Sequence, residues 1–284
     1  MPIDPKQAVG AVIPGGERQW GPDQIILYHL GLGAGVPATD ANELAYTYEK
    51  NLKVLPSFAV IPGSGLGPSL LKVPGMQFNP ALLLHGEQDL RLNGPVPPEA
   101  KVSNTVKIVD IFDKGKAALV VVETESKDEQ GTALFVNRAS LFIRGEGGFG
   151  GDSGPKPGNL PPERAPDRVV ESPTLPQQAL IYRLSGDKNP LHADPDFAKA
   201  GGFDTPILHG LCTYGIVCKA VVDHALGGDT TRVARFQVRF AGVVYPGETI
   251  VTSMWEEGET IILQATVKER GAPVLTNAAI TLRG

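Results

Sequence analysis

The feature that most limits how this chain can fold is an alternation that appears twice. Residues 101–112, 116–125 and 132–143 carry Val, Ile and Leu in a broadly alternating pattern, and so do 233–240, 249–255, 260–267 and 274–282. A period of two sends one set of side chains to one face of a pleated strand, so these runs are strands with one buried face. Asp113-Lys114-Gly115 and residues 128–131 reverse the chain in the first group; Glu257-Gly258-Glu259 and Arg270-Gly271 reverse it in the second. Each group is an antiparallel meander. Residues 145–176 lie between them and are rich in Gly and Pro, a composition that makes a linker. The chain therefore divides into 1–144, a linker 145–176, and 177–284.

The halves share more than their pattern. Leu90-Arg91-Leu92-Asn93-Gly94-Pro95-Val96-Pro97-Pro98 overlays Val238-Arg239-Phe240-Ala241-Gly242-Val243-Val244-Tyr245-Pro246 with Arg, Gly and Pro recurring at a constant offset, which suggests a duplication. One difference stands out. The second half has a long run, 210–226, that is apolar almost all round and ends at Gly227, as a buried helix would. The first half has Pro62-Gly63-Ser64-Gly65-Leu66-Gly67-Pro68 and Val73-Pro74-Gly75 instead, which no long helix tolerates. Its central helix is expected to be short, leaving a tunnel lined by residues such as Leu70, Leu71 and Met76.

Composition narrows the function classes. Of 284 residues 42% are hydrophobic, enough for a core without staples. Twenty-six Lys and Arg stand against 31 Asp and Glu, a net charge of −5 with no basic run, which argues against a nucleic-acid partner. No apolar stretch reaches the length of a membrane span, and Met1-Pro2-Ile3-Asp4-Pro5 lacks the features of a signal peptide, so the expected location is the cytoplasm. Cys212 and Cys218, six apart on the apolar run, point to different faces and read as reduced core residues.

Chemistry concentrates in Tyr182-Arg183-Leu184-Ser185-Gly186-Asp187-Lys188-Asn189-Pro190-Leu191-His192 and in His209-Gly210. Asp194-Pro195 is an N-cap and first helical position and Gly201-Gly202 a stop, so a short helix pins the loop before it. Asp187 and His192 can then face one water, which the Asn189 amide orients without taking its proton. Gly210, at the start of the apolar helix, offers an N–H at its positive end, where an enolate oxygen is stabilised. The plainer reading is a buried polar pair that fixes the loop. His209 reads as a hydrogen-bonded structural residue, Tyr182 as a shaper of the loop, and His29 and His224 as packing or surface groups.

Two other patterns carry less. Gly145-x-Gly147-x-x-Gly150 follows a strand as a dinucleotide fingerprint does, but Gly151-Asp152-Ser153-Gly154-Pro155 stands where its helix should begin. Asp187, His192, Asp194 and His209 could ligate a metal, yet Asp194 is explained as a cap and no compact two-His motif is present, so no metal is expected.

The motif Ser185-Gly186-Asp187-x-Asn189-Pro190-Leu191-His192-x-Asp194-Pro195, with Gly202-Phe203 and Pro206-Ile207-Leu208-His209-Gly210-Leu211-Cys212-Thr213, resembles the (R)-specific enoyl-CoA hydratases of the MaoC-like group. The likeness extends through Leu84-His85-Gly86-Glu87-Gln88, Asp113-Lys114-Gly115, Gly147-Gly148-Phe149-Gly150-Gly151 and Val244-Tyr245-Pro246-Gly247, nearly the whole chain. It implies an α+β double hotdog, two antiparallel sheets each curled around a helix, with the N-terminal helix reduced to admit an acyl chain. It implies Asp187 and His192 as the catalytic pair with Asn189, Gly210 as the oxyanion donor, and His85, Gly86, Lys114 and Phe240 as substrate contacts. Lys188, Pro190 and Leu191 of the motif join the substrate-binding set, and Glu49, Tyr182 and His209 support it. The implied reaction is reversible hydration of trans-2-enoyl-CoA to (3R)-3-hydroxyacyl-CoA in fatty-acid or sterol side-chain metabolism. No metal or redox cofactor is needed, CoA being part of the substrate, and the assembly is expected to be a homodimer. The ending Leu282-Arg283-Gly284 carries no peroxisomal tripeptide, which fits a free-standing bacterial enzyme. A hotdog thioesterase, a dehydratase of carrier-protein thioesters and a non-catalytic acyl-CoA-binding protein are the alternatives.

Overall fold

A computed structural model describes residues 3–63 and 67–284. Its first half runs α1 (Pro5–Ala8), β1 (Val12–Trp20), α2 (Pro22–Gly31), α3 (Ala41–Thr47), α4 (Gly67–Leu70), β2 (Leu83–Leu92), β3 (Ala100–Asp113), β4 (Ala117–Asp128) and β5 (Ala133–Arg144). The second runs β6 (Arg168–Pro173), α5 (Gln178–Tyr182), α6 (Pro195–Ala200), α7 (Gly210–His224), β7 (Val233–Phe240), β8 (Thr249–Glu257), β9 (Thr260–Val267) and β10 (Pro273–Leu282). No helix of the described residues is long and apolar enough to cross a membrane.

The sheet order is β1-β3-β4-β5-β2-β7-β10-β9-β8-β6, all neighbours antiparallel. The second half repeats the order of the first in mirror sequence, which is the double hotdog. The expectation of two sheets needs one correction: pairing of β2 with β7 fuses them into one ten-stranded sheet. Two bare strand edges would otherwise present unpaired N–H and C=O groups to water. Asp89 lies opposite Gln237, at the same offset that relates Arg91 to Arg239 and Gly94 to Gly242, so the seam coincides with the pseudo-two-fold axis of the duplication. Arg239 pairs with Glu87 at 2.6 Å, and Arg235 grips both carboxylate oxygens of Asp89 at 2.8 and 2.7 Å across it.

In the second half α7 is the core helix, with Cys212, Tyr214, Val217, Cys218 and Val221 wholly enclosed. Among the described residues the first half has a five-residue 3-10 turn, Pro56–Val60, and the short α4 where a long helix would lie. The space expected for a tunnel is instead packed, among the described residues. Leu70 and Met76 are 2% and 0% exposed and pack with Ile3, Ala8 and Val73 on β3, β4 and β5, and neither they nor Leu71 line the large cleft. The chain's own beginning takes up the space, tied in by Asp4 N–H donating to the Gly75 carbonyl at 3.0 Å. Ser64, Gly65 and Leu66 of the Gly/Pro motif lie outside the described residues.

The stretch read as a linker is ordered in two ways. Residues 168–173 are β6, an edge strand of the second half paired to β8. Before it, the Gly-rich loop wraps the Asp113 carboxylate, which accepts N–H groups from Gly115, Gly148 and Gly150 at 2.7, 2.9 and 2.7 Å. Those bonds hold the Asp113 carboxyl below its ordinary range, Gly148 contributing most. They also consume the N–H groups that a phosphate-binding loop would have to present, which disposes of the dinucleotide reading. Further on, Asn277 Nδ2 donates to the Gly158 carbonyl and Asn159 Nδ2 to that of Asn277, clamping residues 155–159 as a strap along the cleft.

Candidate active site

The candidate catalytic loop is built from nested side-chain turns. After α5 and one 3-10 turn, Gly186 takes a positive φ of 133° that bends the chain back. Asp187 Oδ1 then accepts the Asn189 N–H at 3.0 Å, and Asn189 Oδ1 accepts that of Leu191 at 3.0 Å, starting the turn Pro190–His192. Asp194 caps α6 as expected, accepting from Asp196 and Phe197. Short polar side chains bonding two residues ahead are what make such a loop rigid without burying it.

His192 is 8% exposed, with Nδ1 2.8 Å from the Ile207 carbonyl. A carbonyl only accepts, so the proton sits on Nδ1 and Nε2 keeps its lone pair. Burial lowers the His192 pKa, with the Ile207 carbonyl and the Asp187 charge opposing it in part. The His209 ring stacks on it at 3.7 Å, with His209 Nε2 3.2 Å from the Asp187 backbone carbonyl. His209 is pushed down to about 4, first by burial and then by the His192 ring. Both rings are therefore neutral at pH 7. Tyr182 lies 5.0 Å from the His209 ring with its hydroxyl buried, which pushes the phenol pKa well up.

The ligand atoms of Asp187, His192 and His209 lie within 4.8 Å of one another. The His192 and His209 rings stack face to face, centroids 3.7 Å apart and planes inclined by 27°.

Gly210 opens α7, whose first N–H groups have no intrahelical acceptor, and among the described residues nothing takes up that of Gly210. A Cβ there would stand 3.1 Å from the Phe240 ring, which would have to give by a few tenths of an ångström to admit it. Phe240 in turn packs on His85 from β2, ring centroids 4.9 Å apart. His85 reaches the site because the β2–β5 register slips between His85 and Glu87, a bulge that re-aims its side chain. At the bulge a Cβ on Gly86 would be 3.1 Å from the Ser140 carbonyl. His85 donates to the Glu87 carbonyl at 3.1 Å and is pushed down to about 4 by burial.

One cleft of about 1380 Å³ brings these groups together: Asp187, Asn189, Leu191, His192 and Gly210 from the second half, His85, Gly86 and Lys114 from the first, and Phe240 between. Lys114 Nζ donates to the Ser153 carbonyl just before the strap, and among the described residues no carboxylate pairs with it. Lys188 and Pro190 are exposed and do not line the cleft. Glu49 also lies outside it, exposed beyond the end of α3. The acid that supports the fold there is Glu43, which accepts the Gly35 N–H at 2.8 Å and Lys219 Nζ at 2.6 Å. Lys219 also binds Asp223, which accepts the Tyr46 hydroxyl. Two charges four residues apart in an otherwise apolar helix were the sequence signal for that cluster, since a buried charge demands a partner.

Residues 19–145 match the family described as the MFE-2 hydratase 2 N-terminal domain, and 158–278 the MaoC like domain. Enoyl-CoA hydratase ChsH3 of Mycobacterium tuberculosis is 43% identical over 282 residues, 99% of this chain and 97% of its own length. The chain belongs to the MaoC-like hydratase 2 family. Another hydratase 2 relative, the peroxisomal enoyl-CoA hydratase 2 of Arabidopsis thaliana, is 44% identical over 276 residues, covering 92% of this chain and 89% of that one. The crystal structure of a MaoC-like dehydratase from Phytophthora capsici superposes with a TM-score of 0.86 at 31% identity, over 99% of this chain and 98% of the other. The gap between the two matched hydratase segments, 146–157, falls on the Gly-rich loop and the start of the strap.

Proposed function

We propose that this protein is an (R)-specific enoyl-CoA hydratase that adds water reversibly to trans-2-enoyl-CoA to give (3R)-3-hydroxyacyl-CoA. The observation that carries the reading is a single cleft holding an exposed carboxylate, an imidazole with a free Nε2 and an untaken helix-terminal N–H. Hydration needs those three together, because C3 meets a weak nucleophile and C2 is a weak acid. The Gly210 N–H holds the thioester oxygen as negative charge develops on it. Asp187 and His192 hold one water between them and take a proton from it as its oxygen bonds to C3. The pair returns a proton to C2 on the same face, so one H2O is added and the site regains its starting protonation.

His85, Phe240 and Leu191 form the apolar wall beside the reacting carbons, and Lys114 meets the anionic part of CoA. The reading includes a homodimer, which sedimentation equilibrium tests, and a cytoplasmic location, which fractionation tests. It requires no metal or redox group: activity is expected to survive exhaustive dialysis against EDTA, and a loss restored by one divalent metal would contradict that. The assay is loss of the enoyl-thioester absorbance of trans-2-enoyl-CoA. Release of free CoA without a hydroxyacyl product indicates a thioesterase; binding without turnover indicates a carrier.

A further inference from the structure

The His209 side chain makes no bond to the N-terminus of α7, although it occupies the capping position. It spends its contacts elsewhere. Its ring covers one face of His192 at 3.7 Å, its Nε2 sits 3.2 Å from the backbone carbonyl of Asp187, and its own backbone leads directly into Gly210. One residue thus touches, or is covalently joined to, all three groups to which the reaction is assigned. It is 1% exposed.

We propose that His209 is the positioning residue of the hydratase site, fixing the Asp187 loop by its Nε2–H bond and keeping the His192 ring dry and in place by stacking. The proposal rests on the functional reading above. A carbonyl partner puts the proton on Nε2, so Nδ1 carries a lone pair, and among the described residues no donor reaches it. Protonating Nδ1 would leave a buried N–H without an acceptor, beside a ring that must itself stay neutral. The groups facing His209 from its surroundings are His192, Asp187, Arg183 and Tyr182, of which only Asp187 favours its charged form. His209 consequently stays uncharged through the working pH range, and its effect is exerted through shape and one hydrogen bond.

The two contacts separate by substitution. His209→Ala removes both, His209→Phe keeps the stack without the bond, and His209→Gln keeps a donor without the aromatic face. For each folded variant, kcat and KM are measured, and the His192 ring is titrated by NMR in the absence of substrate. In His209→Ala we expect kcat to fall on the order of 10²-fold with KM nearly unchanged, since misplacement of a reacting group acts on the transition state. Water reaching His192 should also raise its pKa toward 6.5, moving the acid limb of kcat/KM to higher pH. His209→Phe should keep the wild-type His192 titration, and His209→Gln should recover much of the lost kcat. A folded His209→Ala with wild-type kcat and an unmoved His192 titration would overturn the proposal. So would three variants equally slowed with His192 titrating as in wild type. If the wild-type protein hydrates no enoyl-CoA, the functional reading fails, while the His192 titration still decides whether His209 keeps that ring dry.

Discussion

Asp187 and His192, the proposed catalytic pair, differ in burial. The carboxylate is exposed and held by a backbone N–H, whereas the imidazole is enclosed and held by a backbone carbonyl. Asp187→Asn and His192→Gln keep size and remove proton transfer, so each should lower kcat by about 10²–10⁴-fold, and the double variant little further. A folded single variant with near-normal turnover would remove that residue from the mechanism. The base form of His192 is the neutral one and burial depresses its pKa, so kcat/KM should be flat above 6.5 and fall only at lower pH. At this scale the sequence was explicit: an acid, an amide and an imidazole within six positions specify their own turns. Glu49 shows the limit, because sequence says nothing of which side of a helix end faces the core, and Glu43 has the buried partner.

The start of α7 offers a test that separates a backbone N–H from the space around it. His209 has φ −59° and ψ 135°, extended geometry that a following proline permits, and proline is favoured at the first position of a helix. Gly210→Pro therefore deletes the N–H while the helix still begins. Gly210→Ala adds a similar Cβ against Phe240 but retains the N–H, and serves as its control. The proline variant should be about 10²–10³-fold slower in kcat than the alanine variant, the usual effect of losing one oxyanion donor. Equal rates would show that the thioester oxygen binds elsewhere. Among the elements, the seven strands with clean alternation appear within a few residues of where the sequence puts them. β1, β2 and β6 do not announce themselves. β1 carries Pro14, Gly15 and Gly16 and a register shift, β6 is a mostly exposed edge, and the Gly86 bulge breaks the alternation of β2. A bulge that brings His85 to the site is also what hides its strand.

Across the whole molecule the duplication and the shortened first helix were legible, because Gly and Pro exclude helices by local sterics alone, whereas β6 lies inside the stretch that reads as a linker. What fills the vacated space was not legible, since packing depends on residues distant in sequence, here Ile3 and Ala8 against Leu70 and Met76. A global consequence follows from three histidines kept neutral inside the fold: His29, His85 and His209 are each pushed down to about 4 by burial. Unfolded, each takes a proton near 6.5, so the unfolded state gains relative to the native one as pH falls below that value. Stability should be level above pH 7 and drop between 6.5 and 4, by on the order of 1 kcal/mol per pH unit per histidine. Urea midpoints measured across pH 4–8 check this, and a midpoint that rises on acidification would contradict it. The central claim concerns chemistry, and the most direct test is incubation of the purified protein with a trans-2-enoyl-CoA in deuterated water, followed by stereochemical analysis of the product. Syn addition giving (3R)-3-hydroxyacyl-CoA, lost in Asp187→Asn and His192→Gln, is the predicted result; a 3S product, or free CoA with no hydroxyacyl thioester, would contradict it.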